Sequence, residues 1–111
     1  MRALFIEPGA LRHELALEAV ALTADGAGGH TQTWSEVGTV FAMIEPVTAS
    51  ATFGADQTLE TVTHRVTLRH RPGVASGMRF TGNGRSFDIV TVHDPDETGR
   101  YFVCRTREVG R

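Results

Sequence analysis

The sequence predicts an all-β domain, a small antiparallel β-barrel or sandwich of about five to six strands with one long loop. Three observations carry this. Apolar and polar residues alternate at a period of two through most of the chain, as they do when one face of each strand is buried. Asn83-Gly84 stands between two such runs and is the dipeptide that supplies the positive φ angles of a type I′ hairpin turn. Proline, glycine and acidic residues close the runs. A length of 111 residues suits a single domain over 1–111, and such a chain buries roughly two-thirds of its unfolded surface in one modest core.

The first element is ambiguous at the level of periodicity. In "ALRHELALEAVAL" (residues 10–22), Leu11, Leu15, Ala19 and Leu22 recur at helical spacing, and the composition favours helix. Leu15, Leu17, Ala19 and Ala21 also alternate as in a strand. The strand reading is preferred because every later element is a strand and the next one needs a partner.

"DGAGGHTQTW" (residues 25–34) has the look of a binding loop. A phosphate loop of the G-x-x-x-x-G-K-[ST] type requires lysine, and the chain has none. The dinucleotide pattern G-x-G-x-x-G begins at Gly26 and Gly28 but meets Thr31 where its last glycine belongs, and no apolar helical face follows. The stretch therefore reads as a flexible turn between the first two strands. Trp34 is expected to pack at the start of the second strand, against the barrel or a neighbouring subunit.

"VGTVFAMIEPV" (residues 37–47) is the next strand, ended by Pro46. Residues 48–60, "TASATFGADQTLE", are mostly small, polar and aperiodic with Phe53 as the largest apolar residue, and loops of this length usually serve function or are disordered. "TVTHRVTLRH" (residues 61–70) is the clearest strand. Val62, His64, Val66, Leu68 and His70 share one face, and Thr61, Thr63, Arg65, Thr67 and Arg69 the other, before Pro72-Gly73 ends the run. A hairpin then joins residues 78–82 to 85–92. "HDPDETG" is a polar turn, and "RYFVCRTREV" is the last strand, with Phe102, Cys104 and Thr106 on one face and Tyr101, Val103 and Arg105 on the other.

Composition narrows the function classes. The net charge is -2, which argues against gripping DNA phosphates by bulk charge. All eleven basic residues are arginine, which removes Schiff-base and phosphate-loop lysines and suits fixed bidentate ion pairs. The single cysteine, Cys104, forms no intrachain disulfide and favours a reducing compartment; mid-strand, it reads as a buried small hydrophobe and not a nucleophile. An apolar run of four residues before Glu7 is too short for a signal peptide, and no stretch approaches a membrane span.

No catalytic, cofactor or metal site emerges. His64 and His70 lie about 20 Å apart along an extended strand. His13, His30 and His93 sit in separate segments without ligand spacing. No G-x-S-x-G elbow is present, and "HDPDE" reads as a solvated turn before it reads as a cation site. Arg65, Arg69 and Arg71 would line one strand face. Given the negative charge, a solvated or ion-paired sheet face is the preferred reading over a nucleic-acid surface.

The order of features resembles the head–tail joining, or head-closure (stopper), family of tailed bacteriophages and phage-derived gene transfer agents. The resemblance runs through "GALRHELALE", the "DG.GG….TW" turn leading into "VFAMIEPV", the long variable loop, "ETVTHRVTLRHRPGVASGMRF" as its most specific part, and "GRSFDIVTVHDPDETGRYFVCRTREV". The loop departs from the family in having Ala49-Ser50-Ala51 where a charged Arg-Glu pair is common.

The resemblance implies a non-enzymatic structural protein of the virion or particle neck, made in the bacterial host cytoplasm. It implies a small β-barrel that assembles as a ring of six or twelve copies, six preferred, between a portal-proximal adaptor and a tail terminator or tail tube protein. Packaged double-stranded DNA passes through the channel; no membrane and no cofactor take part. Within the long loop, Thr48, Ser50, Phe53, Asp56, Gln57 and Glu60 become candidate interface or channel residues, with Phe53 as anchor. Trp34, Arg65, Arg69 and Arg71 become candidate interface or packing residues. The alternative is a small oligonucleotide-binding β-barrel, in which those arginines and the aromatics Phe80, Phe87 and Tyr101 would hold single strands by charge and stacking.

Overall fold

The computed structural model describes residues 8–47 and 62–109. A short 3-10 turn, Pro8–Ala10, precedes six strands: β1 His13–Ala24, β2 His30–Pro46, β3 His64–Arg69, β4 Arg79–Gly82, β5 Arg85–His93 and β6 Tyr101–Val109. All pairings are antiparallel, and the sheet closes on itself in the order β1-β2-β3-β6-β5-β4. The loop candidates Thr48, Ser50, Phe53, Asp56, Gln57 and Glu60 lie outside the described residues.

The alternation read from the sequence sets the core. Leu15 and Leu17 of β1, Val40 and Ala42 of β2, Val66 and Leu68 of β3, Phe80 of β4, Phe87 and Ile89 of β5 and Cys104 of β6 all point inward. Phe80 and Phe87 face each other across the β4–β5 ladder and are both fully buried; truncating either to alanine would cost about 3–5 kcal/mol. Val74, in the β3–β4 connection, joins the same cluster. Asn83 and Gly84, at φ 53° and 75°, form the expected left-handed turn between β4 and β5.

The outward face of β6 departs from simple alternation. Tyr101 and Val103 point away from the core and are nonetheless buried. Leu11, just after the 3-10 turn, packs on Tyr101 with Ala10 and Met43, making a second small cluster outside the sheet.

The first hairpin is longer than the sequence suggests. β2 starts at His30, so the turn is only residues 25–29, and Trp34 lies five residues into the strand. The turn is also more ordered than "flexible" implies. Asp25 Oδ1 accepts hydrogen bonds from the Ala27 and Gly29 amides at 2.8 and 3.0 Å, the Asp25 amide donates to the Gly29 carbonyl at 3.0 Å, and Gly26 and Gly28 take positive φ. The two amides also hold the Asp25 carboxyl below its usual pKa.

The pairing of this hairpin with the rest of the sheet is partial. Leu17 pairs with Gly38 but Glu18 with Glu36, so Val37 bulges out of the ladder. β4 reaches β1 only at residues 16–18, and β3 reaches β2 only from Ala42 onward. Residues 19–24 of β1 and 30–35 of β2 therefore form a two-stranded arm that extends from the closed sheet, and among the described residues no strand pairs with its outer edges.

Candidate assembly surface

Four regions concern the residues singled out from sequence. The first is the outward face of β3. Arg65 stands opposite Glu45 on one side and Arg105 on the other, and its Nε lies 3.1 Å from Glu45 Oε1. Both side chains are largely exposed, so this pair contributes at most a fraction of a kcal/mol, roughly 0–1. Arg69 ends the strand opposite Tyr101 and is exposed. Arg71 does not share their face, because β3 stops at Arg69. Its guanidinium folds back over Gly38, into space that a side chain at 38 would take. The expected row of three arginines is thus two, with the third lying over Gly38 of β2.

The second region surrounds Trp34. Its ring lies 4.0 Å from the Arg79 guanidinium carbon, and Arg79 Nε donates to Glu18 Oε1 at 2.6 Å. Glu18 and Arg79 are directly opposed across β1 and β4, Arg79 and Asp88 across β4 and β5, and Asp88 and Arg107 across β5 and β6. An alternating row of charges therefore crosses four strands on the outer surface, and Trp34 lies half-buried under Arg79 at one end of it. Sequence reasoning missed Glu18 and Arg79, which are 61 residues apart; only the closure between β1 and β4 brings them together.

The third region is the base of the long loop. The Val47 amide donates to the Thr63 carbonyl at 2.9 Å and the Thr63 amide to the Thr106 carbonyl at 2.8 Å. Thr63 Oγ1 accepts from the Glu108 amide at 2.7 Å, and Thr106 Oγ1 donates to the His64 carbonyl at 2.9 Å. The two ends of the loop are thereby tied to each other, and the Thr63 end is tied in turn to β6. Beside them Arg85 makes a bidentate pair with Glu108, at 2.8 and 3.2 Å, which raises the arginine's pKa further. His64 sits edge-on to Phe87 at 5.2 Å, with Nδ1 2.9 Å from Thr63 Oγ1 and Nε2 3.4 Å from Arg85 Nη2. Burial pushes its pKa down; Glu108, 4.0 Å away, opposes this and Arg85 reinforces it. A neutral ring with its proton on Nδ1 fits all these partners.

The fourth region is the 94–100 turn. It is not a merely solvated loop. The Asp96 side chain is 2% exposed, accepts from the Thr98 amide and hydroxyl at 3.2 and 2.6 Å, and pairs with Arg100 at 3.4 Å. Asp94 Oδ2 accepts the Gly99 amide at 2.6 Å. Among the described residues, no group of three or more His, Cys, Asp or Glu side chains is placed to hold a metal ion. Cys104 is enclosed in the core, and burial pushes its thiol up to about 12.

The oligonucleotide-binding alternative needs aromatic faces open to bases, and these are closed. Phe80 and Phe87 are 0% exposed and Tyr101 is 9% exposed. The first two fill the interior and the third lies under Leu11. With them gone, the stacking platform that motivated that reading is absent from this sheet.

The described residues thus form a closed sheet with a two-stranded arm, and Val47 and Thr63 are bonded to each other at the base of the long loop. The sequence model of the phage head completion proteins matches residues 6–109. The chain belongs to the phage head completion protein family. A chain in the virion of a native gene transfer agent particle has a similar structure, with 31% identity, 89% of this chain and 96% of that chain covered, and a TM-score of 0.66. Protein SF1141 of Shigella flexneri 2a shares the fold at 23% identity, with 91% and 96% covered and a TM-score of 0.63. No curated protein matches the chain. For a head completion protein, the surfaces above are candidate contacts with other virion components, and the family is one of structural particle proteins.

Proposed function

We propose that this head completion protein assembles as a ring of identical copies, six in preference to twelve, at the neck of a phage or phage-like particle. In this reading the ring lies between the portal-side adaptor and the tail terminator or tube, closes the filled head, retains its DNA and offers the tail its docking surface. The match to head completion proteins over residues 6–109 carries the reading. The net charge of -2 agrees with it, because a channel that neutralised many phosphates would hold the DNA in place. Loop residues Thr48, Ser50, Phe53, Asp56, Gln57 and Glu60 would face the channel or a neighbouring copy, where a segment can order on assembly. Arg65 and Arg69 would lie on outer contacts, while Trp34 and Arg71 pack within the subunit. The protein does no catalysis in this role and is made in the cytoplasm of the host bacterium.

The test is a particle preparation lacking this protein. The expected result is heads that lose packaged DNA and carry no tails, with averaged micrographs of normal particles showing a ring at the neck. Particles that keep both DNA and tails in its absence would end the proposal.

A further inference from the structure

We propose that, within the ring inferred above, the β1–β2 arm of one copy seats against the groove beside Phe41 and Arg69 of the next, joining sheet edge to sheet edge. Three independent observations point there. No described strand pairs with the arm's outer edges, nor with the β2 edge ahead of Ala42; beyond Trp34, which Arg79 covers, the arm is largely exposed, and a two-stranded ribbon with so little support is marginal in water. Open edges of this kind are completed by strand addition.

The exposed apolar side chains are distributed to match. Among the described residues the large exposed hydrophobics, Leu22, Val37 and Phe41, all lie on β1 and β2. Leu22 sits on the arm. Phe41 sits at a groove between β2 and the end of β3, whose apolar lining includes Leu11, Val40 and Leu68 and whose rim carries Arg69 and Arg71.

Charge decides for a second copy over a different partner. Between His13 and His64 the sequence has no arginine or lysine, while Asp25 and Glu36 lie exposed at the tip and base of the arm. Nine of the eleven arginines follow His64, including both on the groove rim. An acidic, cation-free arm and a basic groove on one chain are complementary head to tail, and head-to-tail contacts generate closed rings. The arm cannot fold back into its own groove. Leu22 is opposite Gln32, and nine residues of extended strand separate Gln32 from Phe41, roughly 30 Å.

That separation makes the test clean. A Leu22→Cys, Phe41→Cys double variant cannot close a disulfide within one chain, since a disulfide needs α-carbons within roughly 7 Å. The native Cys104 is buried. In particles carrying the double variant, mild oxidation is expected to give a ladder of covalent multimers on non-reducing gels, while each single variant stays monomeric. The pair Leu22→Cys with Arg69→Cys reads the same contact from the groove's rim. Particles that show a neck ring of this protein but no ladder with either pair would overturn the arm-to-groove contact and leave the ring standing. Particles in which the wild-type protein forms no ring would overturn the ring itself.

Discussion

The backbone of Gly82 lies directly against Leu15. A β-carbon at residue 82 would stand 2.9 Å from Leu15 Cδ2 and 3.0 Å from the Glu14 carbonyl oxygen. This is where β4 meets β1 and the sheet closes, and one of the two obstacles is backbone, which cannot swing aside. Gly82→Ala is therefore expected to destabilise by about 1–3 kcal/mol through overpacking. Gly38 offers the control. Its obstacle is the flexible end of Arg71, so Gly38→Ala should displace that side chain and change stability by less than roughly 1 kcal/mol. Urea unfolding of the two variants checks the order; equal costs would mean that the β1–β4 approach does not limit the sheet.

Arg79 joins two weaker contacts into one, holding Glu18 by a short charge-assisted bond while covering Trp34. All three side chains are only partly exposed, so solvent screens them less than a surface pair. Removing the guanidinium in Arg79→Ala is expected to cost about 1–2 kcal/mol. It should also shift the emission of the chain's one tryptophan to the red as the ring gains water. Unchanged emission together with unchanged stability would show that the ring is sealed by something else.

These two relationships also mark the boundary of what the sequence makes legible. The period-two runs give every strand from β3 to β6, and the inward set Val66, Leu68, Phe87 and Cys104 follows from alternation alone. The β1 segment is ambiguous because Leu11, Leu15 and Leu22 satisfy a helix as well; its pairing with β2 over twelve positions settles the matter. Trp34 is visible as a packing residue, but its partners are not, since Glu18 and Arg79 are neighbours only through ring closure. Arg71 is misplaced because a local pattern cannot tell where a strand lets go: β3 ends at Arg69 and the chain turns inward. Tyr101 looks like a surface aromatic until the segment around Leu11 is laid over it.

His64 predicts a dependence of stability on pH. Its pKa in the folded protein is below the ordinary value of 6.5, chiefly because of burial. The unfolded chain therefore takes up a proton at a pH where the folded one does not. Stability is full above pH 6.5 and falls as the pH drops below it, until the folded ring also protonates. The difference between wild type and His64→Asn, followed by urea unfolding from pH 8 to pH 5, isolates this contribution from the other histidines. A wild type that gained stability over His64→Asn on acidification would mean that attraction to Glu108 outweighs burial.

Cys104 predicts a slow chemical clock for unfolding. With its pKa pushed up to about 12, only roughly one molecule in ten thousand would carry the thiolate at pH 8, and the β3–β6 ladder shields even that fraction. A thiol reagent at pH 8 is expected to leave the native protein unmodified and to label it stoichiometrically in denaturant. At intermediate denaturant, labelling should track the unfolded population that fluorescence reports. The labelling rate is also expected to be the same for free subunits and for assembled particles as long as the sheet stays closed, because the shielding comes from within one subunit. Rapid labelling of the native subunit would show instead that β3 and β6 part on the timescale of the reaction.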